Sequence, residues 1–310
     1  HAGSFLVGYR YSFPALLSRL GLKINLGTNG AIPYYQDLTF KIQVPLSTRW
    51  HAELFGLGGL NSIFFQWHEG DTPQAGQPEN SDLDFSTASG VLGAKLTHRF
   101  SSDARLALKL AATTNQAATD IDSITGPDSR VQWYAMRLRK YAPALALDYQ
   151  QRLSAQHFWE MGASCQWAKL ALQDSVLQSS GSYLRRVGSE GKYLLSQAHL
   201  AWRYRPTSRL TLVTGLHGLW LHLNNTWALE PRLAWQWKAT ARQSFTLSGG
   251  LHSQTQSPLY YFLKPRTVAD ASMRNLGLSR ALHGVLAYDL RLSQDLRLKT
   301  ELYYQWPYQI

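Results

Sequence analysis

Cysteine is almost absent from this 310-residue chain, in which Cys165 stands alone. One thiol excludes a disulfide framework and any cysteine-based metal centre, and such scarcity suits an exported bacterial protein. Long hydrophobic runs are missing as well. No apolar stretch approaches the ~18–20 residues of a membrane helix, and mean hydropathy is −0.26. Charge is sparse, at 16% Asp, Glu, Lys and Arg against roughly 25% in soluble domains. The balance is still basic, with 31 Lys and Arg, 20 Asp and Glu and a formal net charge of +11. A nucleic-acid partner would require a Lys/Arg run, a known motif or a basic helix. None is present, so no nucleic acid is expected. The chain opens at His1 without a basic-then-apolar leader, so any targeting peptide is expected to have been removed or to lie outside this chain. It also lacks a Pro/Gly-rich linker and a true sequence repeat, so one unit is expected, with residues 70–80 as an exposed loop.

What is present is aromatic and alternating. Phe, Trp and Tyr make up 12% of the chain, with 11 Trp and 16 Tyr. "LRLSQDLRLKTELYYQW" (290–306) carries Leu296, Leu298, Thr300, Leu302, Tyr304 and Trp306 on one face of a period-two strand. The other face carries Arg297, Lys299, Glu301, Tyr303 and Gln305. Ser293-Gln294-Asp295 is a compact polar turn back to the preceding strand. Similar stretches recur near 5–11, 34–44, 49–60, 86–100, 104–115, 131–150, 157–171, 192–205, 208–222, 226–238, 242–254, 282–292 and 296–306. The spacing predicts about thirteen strands, several long enough to cross a membrane at a tilt.

Connections sort by length. "PLSTR", "FSSDA", "RLSAQH", "RPTS", "KATAR" and "LSQD" are short. Most of those between them are long and polar, including "NQAATDIDSITGPDS" and "QDSVLQSSGSYLRRVGSEG"; the tight "LNNT" near Asn224 is an exception. Short turns at one end and long loops at the other are the topology of an outer-membrane barrel. Aromatic positions add a second line. Trp50, Tyr149, Trp202, Tyr204, Trp235 and Trp237 lie beside short turns; Trp133, Trp220, Trp227, Tyr304 and Trp306 lie towards the loops. Amphipathic rings gather at the two faces of a bilayer. In "WALEPRLAWQWK", Trp227, Leu229, Pro231, Leu233, Trp235 and Trp237 share one face, and Glu230, Arg232, Gln236 and Lys238 the other. The expected fold is therefore all-β, an antiparallel transmembrane β-barrel. Its interface aromatics are Trp202, Trp220, Trp227, Trp235, Trp237 and Trp306, and Leu229, Leu233 and Leu298 join them on the lipid side.

Longer segments carry a family likeness. "GSFLVGYRYS", "IPYYQDLTFKIQVPLS" and "FGLGGLNS" resemble the early barrel of Bacteroidota TonB-dependent outer-membrane receptors. "WALEPRLAWQW", "SGGLHSQTQSPLYYF" and "LRLKTELYYQW" resemble middle strands of the same group. The resemblance covers nearly the whole chain. It implies part of a 22-strand barrel in the outer membrane of a Gram-negative bacterium. Such a barrel is filled by a plug that TonB pulls on to admit a scarce nutrient: a siderophore, glycan or peptide. The partners it implies are lipid bilayer and lipopolysaccharide, a plug domain and remaining strands outside this chain, the TonB complex and a small ligand. No plug, TonB-binding segment or periplasmic domain is recognised within 1–310; about thirteen strands is an odd number for a bacterial barrel and leaves two unpaired edges in hydrocarbon, so the chain alone is expected neither to close nor to conduct. A passive porin-like or secretion-associated barrel is the alternative.

Candidate chemistry lies on the polar strand faces. Arg10, Lys41, Arg105, Lys109, Arg203, Arg232, Lys238, Arg291, Arg297 and Lys299 would face inward. They form either an electropositive lumen or an ordinary polar wall paired to neighbours such as Glu230, Asp289 and Glu301. Glu230 and Arg232 share a face and, with Arg297, Lys299 and Glu301, are the candidate lumen- or plug-facing residues. His217, His222 and His252 are the metal-ligand candidates; they have no carboxylate or cysteine at the tight spacing a metal needs. No cofactor is expected. His98, Arg99 and Asp103 supply catalytic residue types in no recognisable arrangement, and "GLHSQ" is no nucleophile elbow, so no enzyme is expected.

Overall fold

The computed structural model describes residues 2–21, 31, 33–67, 78, 80–126, 129–263 and 273–309. Thirteen strands form one antiparallel sheet: β1 (Ser4–Tyr11), β2 (Tyr34–Pro45), β3 (Trp50–Phe65), β4 (Ser81–Arg99), β5 (Ala104–Gly126), β6 (Ser129–Arg152), β7 (His157–Leu177), β8 (Tyr183–Tyr204), β9 (Leu210–Leu221), β10 (Thr226–Lys238), β11 (Gln243–Gln254), β12 (Ser279–Arg291) and β13 (Arg297–Gln309). Each strand pairs only with its neighbours in sequence, and β1 and β13 form the two edges. Two short helices interrupt the pattern, α1 (Phe13–Arg19) and α2 (Pro258–Phe262), with one 3-10 turn at Met273–Asn275. The thirteen predicted strands are thus thirteen, in the expected order.

One end of the sheet is built from six turns of a single design. Leu46 and Ser47 N–H bond the Trp50 carbonyl, and Leu292 and Ser293 N–H bond that of Leu296. In each turn a Ser or Thr hydroxyl accepts a backbone N–H two residues on. Ser47 does so from Arg49, Ser101 from Asp103, Ser154 from Gln156, Thr207 from Arg209, Thr240 from Arg242 and Ser293 from Asp295. A hydroxyl that replaces a backbone acceptor holds a tight turn closed and fixes the hairpin register behind it.

The opposite end differs from expectation. "NQAATDIDSITGPDS" is almost entirely strand: β5 runs to Gly126 and β6 resumes at Ser129. Likewise β7 reaches Leu177 and β8 starts at Tyr183. Polarity on both faces erased the amphipathic signal without breaking the backbone ladder. Cross-strand ion pairs hold these extensions, with Arg137 on Asp120 at 2.7 Å, Arg130 on Asp82 at 2.7 Å and Arg186 on Asp174 at 2.9 Å. Trp133 sits on such an extension, beside a register shift and eight residues past Tyr141. It therefore does not join the aromatic band, because β6 has run well beyond it. The tight "LNNT" connection is found as predicted, with Asn225 at φ 56°, a left-handed conformation that Asn tolerates. Of the expected loop at 70–80, residues 70–77 and 79 lie outside the described residues.

Candidate functional site

Cross-strand partners in a sheet share a face, so the register sorts every residue onto one of two surfaces. From β13 inward, Leu302 pairs Leu286, Leu286 pairs Leu247, Leu247 pairs Trp235 and Trp235 pairs Leu212. At the far side Val7 pairs Phe40, Ile42 pairs Leu54, Ala94 pairs Leu110 and Leu145 pairs Cys165. These residues all lie on one surface, and it is apolar. Leu302 is 68% exposed, Trp227 64% and Phe5 81%. A continuous apolar face over thirteen strands far exceeds the few hundred Å² of patch that a soluble monomer shows.

Rings frame that face. Along the short-turn end Trp50 meets His98 at 4.3 Å, His98 meets Phe100 at 4.5 Å and Phe100 meets Tyr149 at 6.4 Å. Further on, Trp159 stacks on Trp202, Trp202 on Tyr204, Trp235 on Trp237, Trp237 on Phe245, and Phe245 lies against Tyr288. A second band holds Tyr141, Trp167, Trp220, Trp227 and Trp306. Tyr141 and Tyr149, Trp159 and Trp167, and Trp227 and Trp235 each stand eight residues apart on one strand. Eight residues span about 27 Å along a strand, or about 21 Å of height at a ~40° tilt, close to the ~25 Å apolar band of a barrel. Among the described residues the face carries no Asp, Glu, Lys or Arg between the bands; past the upper band charges return with Lys169, Arg139 and Arg137. Tyr141, Trp159 and Trp167 were not singled out in the sequence reading, although the eight-residue spacing in "WALEPRLAW" was the signal for them.

The opposite face is polar. All ten cations proposed to point inward lie on it by register, from Arg10 opposite Asp37 to Lys299 opposite Asp289. Most are paired rather than free. Arg10 bonds Asp37 at 2.8 Å, Lys41 bonds Glu53 at 3.2 Å and Lys109 bonds Asp148 at 2.6 Å. The most enclosed group is Glu230, whose side chain is 1% exposed. Its carboxylate accepts from Arg232 Nη2 at 2.7 Å, from His217 Nδ1 at 3.0 Å and from the Ser253 backbone N–H at 2.8 Å. A buried carboxylate is tolerable with such partners and costly without them. Arg297, Lys299 and Glu301 form a second cluster on the same face. Arg297 Nε bonds Asp289 at 2.8 Å, and Glu301 takes Lys299 and Tyr303. Three strand intervals lie between this cluster and Glu230, about 14 Å sideways, and the register places Glu301 level with Gln236, six residues or about 20 Å further along β10, so the predicted five residues form two groups and not one.

The β10–β11 ladder reaches Arg232 opposite Gly250, and beyond it the Ser253 N–H on β11 turns to the Glu230 carboxylate. After β11 the chain turns over the polar face and docks α2 there. Tyr261, 3% exposed, packs with Ala142, Ala168, Tyr193 and Leu221, while Phe262 lies against the same cluster. Small residues make the socket: a Cβ added at Gly191 would stand 2.1 Å from the Phe262 ring. Ser189 Oγ donates to the Phe262 carbonyl at 3.0 Å, and Gln256 N–H donates to Tyr261 Oη at 3.1 Å. Burial raises the Tyr261 phenol above its usual pKa. A five-residue helix leaves no periodic trace, so "SPLYYF" gave no sign of this docking.

The histidines do not converge. His217 serves Glu230, His252 stands 4.5 Å from His283, and His222 is on the apolar face, bonded to Ser196. No group of three or more His, Cys, Asp or Glu is placed to hold a metal among the described residues. His98 belongs to the aromatic band and Asp103 to a turn with Ser102; they do not meet.

This thirteen-strand sheet superposes on known structures. The ferripyoverdine receptor of the outer membrane of Pseudomonas aeruginosa matches 98% of this chain with a TM-score of 0.64 at 14% identity. The fold is that of an outer-membrane receptor barrel. The siderophore receptor PirA from Acinetobacter baumannii matches 97% of the chain with TM-score 0.65 at 10% identity, and the outer membrane transporter YddB from Escherichia coli 89% with TM-score 0.60 at 11% identity. The chain spans 47%, 47% and 40% of those three chains, less than half of each. All three are receptors or transporters, not enzymes. No family model matches the sequence, and no curated protein matches it.

Proposed function

We propose that this chain is part of the transmembrane barrel of a TonB-dependent receptor. It would take up a scarce nutrient, such as a siderophore, glycan or peptide, across the outer membrane of a Gram-negative bacterium. The observation that carries this reading is the apolar face, uncharged between two aromatic bands and continuous over thirteen strands, on a fold shared with outer-membrane receptors. The polar face then lines the lumen, where Glu230 and Arg232 on one side and Arg297, Lys299 and Glu301 on another meet the plug or the ligand. Thirteen strands amount to part of a 22-stranded, plugged transporter barrel. Edge groups left unpaired in hydrocarbon cost several kcal/mol each, so further strands complete the ring. The remaining partners are lipid and lipopolysaccharide outside, the plug inside and the TonB complex below. The segments "GSFLVGYRYS" and "WALEPRLAWQW" support the finer reading of a Bacteroidota-type receptor.

The protein purified from outer membranes tests this. It should migrate as a compact, heat-modifiable species, be retained by the immobilised periplasmic domain of TonB from the same organism, and give no steady conductance in planar bilayers. Steady ohmic conductance with no TonB retention would place it among passive barrels instead.

A further inference from the structure

The apolar face is not uniform. Directly below the loop-side aromatic band it opens into a groove of about 770 Å³ across β6–β10. Small side chains form the floor: Ala163 and Cys165 on β7, Ser196 and Ala198 on β8, and Gly218 on β9. Leu145 and Leu147 make one wall; Trp220, Trp227 and Leu229 make the other. A smaller groove of about 380 Å³ lies over Gly56, Gly58, Gly90 and Ala112 on the same face, and the one across β6–β10, with five adjacent small residues between Leu and Trp walls, leaves more space for something long and apolar.

The head of the groove is the reverse. Lys169 and Lys192 stand directly opposite each other on this same face, four residues above Cys165 and Ser196, or about 13 Å along the strands. Lys192 Nζ lies over the Trp167 ring at 6.0 Å, and the only carboxylate in contact with the pair is Glu190, 3.0 Å from Lys169 among the described residues. The Ser196 hydroxyl on β8 bonds Nε2 of His222, just past the end of β9, at 2.9 Å, and the His222 ring stacks on Trp220 at 3.8 Å. Glu190 offsets one of the two facing lysine charges, and the pair keeps a net positive charge that an anion beside Lys192 would compensate. An apolar slot that ends in two lysines and a histidine, at the height of the band, has the polarity of a lipid with acyl chains below and a phosphate above.

We propose that this groove is a binding site for a phosphorylated, acylated lipid of the outer leaflet. The acyl chains occupy the floor from Ala163 to Gly218, and the headgroup phosphate sits between Lys169, Lys192 and His222. The inference rests on the outer-membrane reading of the chain. It goes further in naming one annular position, one lipid class and the side chains that select it.

The test uses the protein extracted from outer membranes in a mild detergent, with native mass spectrometry to count bound lipid. Bisphosphorylated lipid A is titrated in parallel with chemically dephosphorylated lipid A and with inorganic phosphate. Wild type should retain the phosphorylated lipid in preference to the other two. Lys192→Gln and Lys169→Gln should each weaken the phosphorylated form roughly fivefold and leave the dephosphorylated form unchanged. Ala198→Leu, which fills the floor, should lower occupancy by both lipids. Retention of phosphorylated lipid by the lysine variants at the wild-type level, in protein that fractionates with the outer membrane and is heat-modifiable, overturns the site alone. Binding of inorganic phosphate as tight as that of the lipid overturns the acyl groove. Wild-type protein absent from the outer-membrane fraction overturns the membrane reading and the site with it.

Discussion

Leu145 and Ala144 are adjacent on β6 and face opposite ways, so one charge placed at each position separates the two surfaces. Leu145 lies midway between Tyr141 and Tyr149 on the apolar face and is 47% exposed. About 13 Å of strand separates it from either ring, which puts it at the centre of the slab. An arginine at a barrel midplane costs about 2–4 kcal/mol on the lipid side. Ala144 pairs with Ala111 and Gln166 on the polar face, where the arginine head reaches water and the cost should stay within about 0.5 kcal/mol. Leu145→Arg and Ala144→Arg are each refolded into phospholipid vesicles and titrated with urea while tryptophan fluorescence is followed. Leu145→Arg should lose about 2–4 kcal/mol, a factor of roughly thirty to a thousand in the folding equilibrium; Ala144→Arg should match wild type. Equal losses, or the larger loss at Ala144, would refute the assignment of lipid and lumen faces.

Glu230→Ala strands Arg232, His217 and the Ser253 N–H together and should destabilise by about 3–5 kcal/mol; chymotrypsin cleavage at Tyr260–Phe262 should quicken before global unfolding. Gly191→Val drives a methyl into the Phe262 ring and should cost about 1–3 kcal/mol. Phe262→Ala in the same protein should remove that cost, and a double-mutant cycle in thermal melts that shows strict additivity would count against the socket. Asp122 faces Asp82 across β4–β5 on the extensions beyond the slab. Burial first, then the charges of Asp120 and Asp82, raise its carboxyl above the usual value. A carboxyl raised on folding binds its proton more tightly in the folded state, so it lowers stability as pH climbs through the raised value. Asp122→Asn should therefore stabilise by about 0.2–1 kcal/mol at neutral pH, and the gain should vanish below the ordinary Asp range; melting curves at pH 3 and pH 8 check it.

The sheet was legible in the sequence because a bilayer imposes the strictest alternation a strand meets. In β10, every second residue from Trp227 to Trp237 is apolar, and no soluble fold demands that over so many strands. Beyond the slab the demand ends. Asp120, Asp122, Arg137 and Arg130 read as loop because water solvates both faces there, although the backbone ladder continues to Gly126. The Glu230–Arg232 pair was legible from a two-residue spacing. His217 and Ser253 were not, since their approach depends on the register between β9, β10 and β11, which the periodicity of no single strand announces. The aromatic bands were seen as clusters near turns, but the spacing that makes them two parallel lines emerged only when β6, β7 and β10 lay side by side.

The six hydroxyl-closed turns, each carrying its own register, have a consequence for how such a ring changes size. Pairing runs strictly from one strand to the next, so no contact has to be threaded past another when the chain assembles. A duplicated hairpin would arrive with its alignment already set by its own Ser or Thr. It would also return the chain to the same side of the membrane, leaving every other residue on its original surface. A single added strand would put the following turn on the wrong side, and a single added residue would exchange lipid and lumen faces along the strand that holds it. Growth by whole hairpins is the step that leaves both surfaces intact, so the circumference can vary while the wall chemistry is kept.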